Sequence, residues 1–443
     1  MAGNRQHIRW HDLMIGVLLA AGLSGCVAAT ATKPGVPSAL PSASNAQPST
    51  TPPAGDTETA MPSPTGDTET AIPSPTGALP SITPRVAGTI SWTQVDLPAG
   101  LAVTSESSSQ NAFFGWSKGY VGFSESLNGG PIVPWDSPDG RNWHQDKALD
   151  TAGLTGGAWV SEVVEGPAGL LALGRAPGCL MNGSGCVPTP AKALWTSADG
   201  RTWSRVELAG QFGGRAVGDV SAGPKGYMAI SRSSESATSD PAVWLSANGR
   251  SWRSVTLPPE AFKDAYLASG SVLSGGYLIA GRIGSVAGYG GGDYPSTTPA
   301  LWWSADGSAW SRVSLAGASA APEAEAAVTT IANGRQIAHV VRWDLRVPPD
   351  GANQTWSSPD GRSWTPSGDG FPSPAVILTD GHQAMQPIAT EAGVTVSTSP
   401  DGFDWTQRAI TGTAPPDSFD VAVGPSGLLV SSTDQRAWLA VLT

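Results

Sequence analysis

From residue 89 to the end, the chain is written in short apolar runs broken by Gly, Pro and Asp. Ile90-Ser91-Trp92-Thr93-Gln94-Val95 alternates apolar and polar positions, the pattern of a half-buried strand. Val217–Ser221, Tyr227–Ser231, Leu428–Ser432 and Arg436–Leu442 read as further strands. A turn recurs between such runs as Gly166-Pro-Ala-Gly169, Gly223-Pro-Lys-Gly226 and Gly424-Pro-Ser-Gly427. A second turn recurs inside a longer pattern, Trp-x-Ser-x-Asp-Gly-x-x-Trp. Several copies continue as a strand: Trp203-Ser-Arg-Val, Trp252-Arg-Ser-Val and Trp310-Ser-Arg-Val. One unit is therefore strand A, Gly-Pro turn, strand B, loop, strand C, Asp-Gly turn, strand D.

The six copies of the second turn carry Ser137, Asp139, Gly140 and Trp143; Ser197, Asp199, Gly200 and Trp203; and Ser246, Asn248, Gly249 and Trp252. They continue with Ser304, Asp306, Gly307 and Trp310; Ser358, Asp360, Gly361 and Trp364; and Ser399, Asp401, Gly402 and Trp405. The sixth has Ser397 in place of the leading Trp. Asp-Gly between strand-like runs is a hairpin signal, because Gly accepts positive φ and the carboxylate binds turn N–H groups. The Ser positions are separated by 60, 49, 58, 54 and 41 residues, periods that indicate propeller blades. The boxes resemble the Asp-box (BNR) repeats of sialidases and of many exported β-propellers. That family's pattern is Ser-x-Asp-x-Gly-x-Thr-Trp; these copies keep its Ser, Asp, Gly and Trp but lack the residue between Asp and Gly. The resemblance implies a propeller whose boxes are structural hairpins away from the active-site face.

Six boxes predict seven blades. Ile90–Val95 copies the strand that follows a box, and the chain ends two strands after its last Gly-Pro turn. Trp438-Leu-Ala440 echoes Trp244-Leu-Ser246, so three C-terminal strands joined by the N-terminal one complete a seventh blade. The expected fold is all-β: a seven-bladed propeller of four-stranded antiparallel blades over residues 89–443, closed by residues 89–97 pairing with 436–443. Closure removes open sheet edges.

The segment before it reads differently. Leu13–Gly22 is an apolar run behind Arg5 and Arg9, too short to span a bilayer and suited to a signal-peptide core. It ends in Leu23-Ser24-Gly25-Cys26, the bacterial lipobox. This predicts a signal peptide over 1–25, lipidation of Cys26 and attachment to the extracytoplasmic face of the cell membrane; the other reading is a secretory signal with a chance Cys. Residues 26–88 are rich in Pro, Ser, Thr and Ala, with an eleven-residue duplication at Gly55–Thr65 and Gly66–Thr76. Such a segment is expected to be a disordered tether.

Composition narrows the function. Gly and Pro number 55 and 38 and charged residues are 14%, which disfavours helical bundles. A net charge of −11 argues against nucleic-acid binding through bulk electrostatics. His7, His11, His144, His339 and His382 are scattered along the sequence, and no His-rich metal site is expected. With Cys26 lipidated, Cys179 and Cys186 remain in one exported loop and are expected to form a disulfide.

In a blade the A–B and C–D turns share one end and the B–C and D–A loops the other, so ligand contacts are expected at the variable second end. Tyr289, Asp293 and Tyr294 in a Gly-rich B–C loop are candidate binding residues or simply a solvated loop. Glu162, Asp219 and Asp420 each stand four residues before a Gly-Pro turn. They either ring the central channel, able to hold a cation, or accept neighbouring backbone N–H groups. No other cofactor is expected, and no catalytic constellation is recognisable. The expected function is a monomeric, lipid-anchored binding or scaffold module for a glycan or protein ligand. The alternatives are a sialidase-like exo-glycosidase and an assembly factor for a membrane complex.

Overall fold

The computed structural model describes residues 89–443 apart from short gaps, the longest being 102–111, 232–240, 285–295, 343–353 and 367–377. Residues 1–88, which hold the expected signal peptide, tether and Cys26, lie outside the described residues. Among the described residues no helix is long and apolar enough to cross a membrane.

Seven antiparallel sheets follow one another as blades. Blade 1 has strands A to D at Ala112–Trp116, Gly119–Ser124, Val133–Ser137 and His144–Gln145. Blade 2 has Trp159–Gly166, Gly169–Arg175, Ala191–Ser197 and Ser204–Val206, and blade 3 has Asp219–Gly223, Gly226–Ile230, Val243–Ser246 and Arg253–Ser254. Blade 4 has Ala265–Val272, Tyr277–Ile283, Ser296–Ser304 and Ser311–Val313. Blade 5 has Ala324–Thr330, Gln336–Arg342, Gln354–Ser358 and Thr365–Pro366. Blade 6 has Leu378–Thr379, Ala384–Thr390, Gly393–Ser399 and Thr406–Gln407. Blade 7 takes strands A to C from Asp420–Gly424, Gly427–Ser431 and Ala437–Leu442, and strand D from Thr89–Val95. The fold is the seven-bladed propeller that the repeats predict.

The closing ladder pairs Ile90 with Leu442, Trp92 with Ala440 and Val95 with Ala437. Among the strands not expected from the repeats, Ala409–Thr411 pairs in parallel with Thr89–Ser91 and covers that part of the outer edge of blade 7. A covered edge cannot recruit another chain.

The core lies between blades. Phe114, Val121 and Phe123 of blade 1 meet Val160, Val163 and Leu170 of blade 2 in one cluster. Equivalent clusters join blades 2 and 3, 3 and 4, 4 and 5, 6 and 7, and 7 and 1. The strand C tryptophans Trp195, Trp244, Trp302, Trp356 and Trp438 are fully buried. Three of them donate Nε1–H to a carbonyl in the D–A loop entering their own blade: Trp195 to Asp150, Trp302 to Ala261 and Trp356 to Ala316. Each thus buries a large apolar surface without orphaning its one donor, and truncation to Ala would cost about 3–5 kcal/mol. Tyrosines at the start of strand B clasp the preceding blade: the Tyr120 hydroxyl donates to the Gly427 carbonyl at 2.7 Å and that of Tyr227 to Gly169 at 2.8 Å. Burial pushes the Tyr227 phenol up to about 12, so it stays a neutral donor.

Candidate functional site

The recurrent turns are occupied by their own backbone. In the second box the Ser197 hydroxyl donates to Asp199 Oδ1 (3.0 Å) and accepts the Gly200 N–H (2.9 Å). Asp199 Oδ1 also accepts the N–H groups of Arg201 (2.9 Å) and Thr202 (2.7 Å). The same set recurs around Asp139, Asp306 and Asp360. Asn248 reproduces it because only one side-chain oxygen is needed. In the sixth, Ser399 and the Asp404 N–H both bind Asp401, and Gly402 lies outside the described residues. Gly200 has φ 79°, a left-handed conformation that side chains resist. The second tryptophan closes the turn, Trp203, Trp252 and Trp364 donating Nε1–H to the box glycine carbonyl at 3.0–3.1 Å.

These bonds set the carboxyls' charge. Burial acts to raise Asp139, but the N–H groups of Asn142 and Arg141 outweigh it and hold the carboxyl down at about 2. Asp199 and Asp360 are lowered by the same contest. The Ser308 hydroxyl and N–H lead in holding Asp306 well below the usual carboxylate range.

The inner-strand carboxylates are also engaged. Asp420 Oδ2 accepts the Phe113 N–H of the next blade at 2.7 Å, and Glu162 Oε2 accepts the Val220 N–H of its next blade at 3.3 Å. Ser269, at the equivalent place in blade 4, takes the Val328 N–H at 3.1 Å. Asp219 occupies the same position in blade 3, the first residue of strand A. Asp420, Glu162 and Ser269 thus stitch neighbouring inner strands together.

At the opposite end the first residues of strand A pair with the last of strand B. Arg175 pairs with Trp159, Arg282 with Tyr266 and Arg342 with Ala324, in blades 2, 4 and 5. The Arg282 guanidinium stacks 4.0 Å from the Tyr266 ring centroid. In blade 2 the B–C connection, read as a loop, folds into a hairpin of Cys179–Asn182 and Gly185–Pro188. The side chains of Cys179 and Cys186 lie outside the described residues, as do Tyr289, Asp293 and Tyr294 entirely. In the hairpin backbone Cys179 pairs with Pro188 and Cys186 with Met181, two positions out of register with each other.

One group of side chains escaped the sequence reading. Asp136 and His144 are direct partners across the C–D ladder of blade 1, and Asp146 follows on the same side of strand D. His144 Nδ1 lies 3.6 Å from Asp136 Oδ1 and 3.2 Å from Asp146 Oδ1. Arg201, from the box of blade 2, grips Asp136 Oδ2 through Nε at 3.0 Å and a terminal nitrogen at 2.9 Å. Burial, reinforced by the Asp136 charge, pushes the Asp146 carboxyl up to about 6. Among the described residues this is the group that brings three potential metal-ligand atoms within 4.8 Å of one another. Its signal was available: Asp136 and His144 stand eight apart on either side of a predicted hairpin turn.

No family model matches the chain, and no curated protein matches it in sequence. Among solved structures it is similar to a protein of unknown function from Dyadobacter fermentans, at 12% identity over 80% of this chain and 98% of that one, with a TM-score of 0.39. It is similar to the NanB sialidase of Streptococcus pneumoniae at 15% identity over 78% and 70% of the two chains, with a TM-score of 0.36. It is also similar to an acylaminoacyl peptidase from Pyrococcus horikoshii at 9% identity over 73% and 48%, with a TM-score of 0.42.

Proposed function

We propose that the chain is a lipid-anchored propeller displayed outside the cell, binding an anionic ligand at the end formed by its B–C and D–A loops. What supports this is a division of labour between the two ends. At the box end, the Ser, Asp and Gly groups of the turns spend their hydrogen bonds on their own backbone. At the other end, arginines recur at the last positions of strand B in three blades, two of them paired with an aromatic residue. Arginine presents a planar fork to carboxylates, sulfates or phosphates, and in blade 4 the Tyr266 ring holds the Arg282 fork in place. Variable loops on a rigid scaffold are the usual carriers of recognition.

The test is a glycan array that includes sialylated and sulfated sugars, run with the parent chain and with Arg282→Lys. The lysine keeps the charge but loses the fork and the stacking on Tyr266, so weaker binding to acidic glycans is expected. Retention of neutral glycans only would remove the anionic-ligand reading. A fluorogenic sialoside assay run alongside decides against a purely binding role if turnover appears.

A further inference from the structure

We propose that Asp136, His144 and Asp146 form a binding site for a divalent ion of the zinc class on the outer edge of blade 1. The first support is geometry. Ligand atoms held about 2.0–2.1 Å from a common tetrahedral ion stand roughly 3.3 Å apart. His144 Nδ1 is 3.2 Å from Asp146 Oδ1 and 3.6 Å from Asp136 Oδ1, so an ion requires little movement. One imidazole nitrogen with two carboxylate oxygens is a donor set that suits zinc and its neighbours.

The second support is a pair of orphaned atoms. The side chains of Asp136 and Asp146 are only 10% and 7% exposed. Even so, Asp136 Oδ1, the oxygen facing His144, is buried without a hydrogen-bond partner, and so is Asp146 Oδ2, the second oxygen of the carboxylate whose Oδ1 meets His144. Buried carboxylate oxygens are costly unless something positive meets them. Arg201 engages the other oxygen of Asp136 and so fixes that carboxylate with Oδ1 toward His144, as outer partners of metal ligands commonly do. His144 is 68% exposed on its side chain, which leaves solvent a route to the centre.

The third support comes from the repeat itself. The register places Val95, Val206, Val255 and Val313 where blade 1 has Asp146. It places Thr93, Ser204, Arg253 and Ser311 where blade 1 has His144, and Leu439, Thr196, Leu245 and Trp303 where it has Asp136. In those four blades the hairpin folds with apolar or neutral residues at the two acidic positions; in blade 6 Arg408 stands where blade 1 has Asp146 and donates to Thr398, which stands where blade 1 has Asp136. Blade 1 departs at all three together, at a cost in buried charge that folding does not require. Three protein ligands leave a fourth position open, so the ion would be able to take a further oxygen donor from a partner or ligand.

The experiment strips the full chain with a chelator, then adds Zn²⁺ near neutral pH under calorimetry and thermal melting. Asp146→Val and His144→Ser are run in parallel. Both variants install residues that other blades carry at these positions, so both are expected to fold. The parent should bind one equivalent of Zn²⁺ more than either variant and gain a Zn²⁺-dependent rise in Tm that both variants lack. Without metal, Asp146→Val should melt no lower than the parent. Equal stoichiometry in parent and variants, or a Tm rise that the variants share, would overturn the proposal by assigning the ion to other His or Cys residues.

Discussion

Trp92 stands opposite Ala440 in the antiparallel ladder that makes the first described strand the outer strand of the last blade. Blade 7 therefore exists only when both ends of the propeller are in place, and the whole ring depends on it. Removing residues 434–443 takes away strand C of that blade, with buried Trp438 and Leu439, and leaves two edges unpaired. The truncated protein should aggregate or melt well below the parent. Size-exclusion chromatography with thermal melting checks this, and a monodisperse truncation of equal Tm counts against closure as the source of stability.

The box turns separate geometry from charge. Asp199→Asn should be close to neutral, because Asn248 fills the same role in blade 3 with one oxygen. Asp199→Ala loses two backbone N–H bonds and should cost roughly 1–2 kcal/mol. Gly200→Ala should cost at least as much, since φ is 79° and a new Cβ would sit 3.0 Å from the Trp116 ring. Chemical denaturation of the three variants ranks them, and equal losses for Asn and Ala would show that charge matters after all.

The same carboxyls predict acid behaviour. Asp139, Asp199, Asp306 and Asp360 are all lower in the folded chain than their ordinary value. A depressed folded pKa contributes stability that is complete above the unfolded value, near 4, and is lost as pH falls through the folded one. For Asp139 that window runs from about 4 down to about 2. Tm should therefore drop steeply between about pH 4 and pH 2. Replacing Asp199, Asp306 and Asp360 together by Asn should flatten the drop, and an unchanged acid limb in the triple variant would move its cause elsewhere.

What was legible in the sequence was local. A box announces itself because Ser, Asp, Gly and Trp act within one turn, and the closing strand did so because Ile90–Val95 carries the pattern of a strand D. The strand Ala409–Thr411 was not legible, since parallel pairing with Thr89–Ser91 joins segments far apart with no turn between them. The blade 1 cluster was hidden for another reason. His144 stands far along the chain from the other histidines, whereas the hairpin register puts Asp136 directly across from it. Asp146 shows only against the valines that stand in its place in four other blades. The inner carboxylates carried two readings, and the bonds from Asp420 to Phe113 and from Glu162 to Val220 support the backbone one.

Lipidation makes a prediction independent of the propeller. Cys26→Ala should release the protein from the membrane fraction or block its processing, because two or more acyl chains anchor stably where none leaves only weak contact. Fractionation with a labelled fatty acid checks it. Unchanged retention, with the signal cleaved elsewhere, would leave Cys26 as a chance residue.

The blade 2 hairpin carries the last prediction. The proposed export would put both cysteines of this connection in an oxidising compartment, where they should join, and closing so short a loop contributes roughly 2–3 kcal/mol in the chain-entropy model, less any strain. The backbone register opposes an easy bond. Cys179 pairs with Pro188 and Cys186 with Met181, and residues so offset have Cα atoms about 7–8 Å apart. Disulfides usually span about 4.4–6.8 Å. The bonded protein should therefore re-register or loosen the ladder between 179 and 188, while the strands on either side, Gly169–Arg175 and Ala191–Ser197, keep their pairing. Thiol counting on the non-reduced chain tests the bond: two free thiols after expression in an oxidising compartment would sink it. Hydrogen exchange tests its reach. Cys186→Ser should change protection only across residues 176–191, because the hairpin pairs with itself as a separate two-stranded sheet. Loss of protection throughout blade 2 would mean that the hairpin supports the core instead of standing on it.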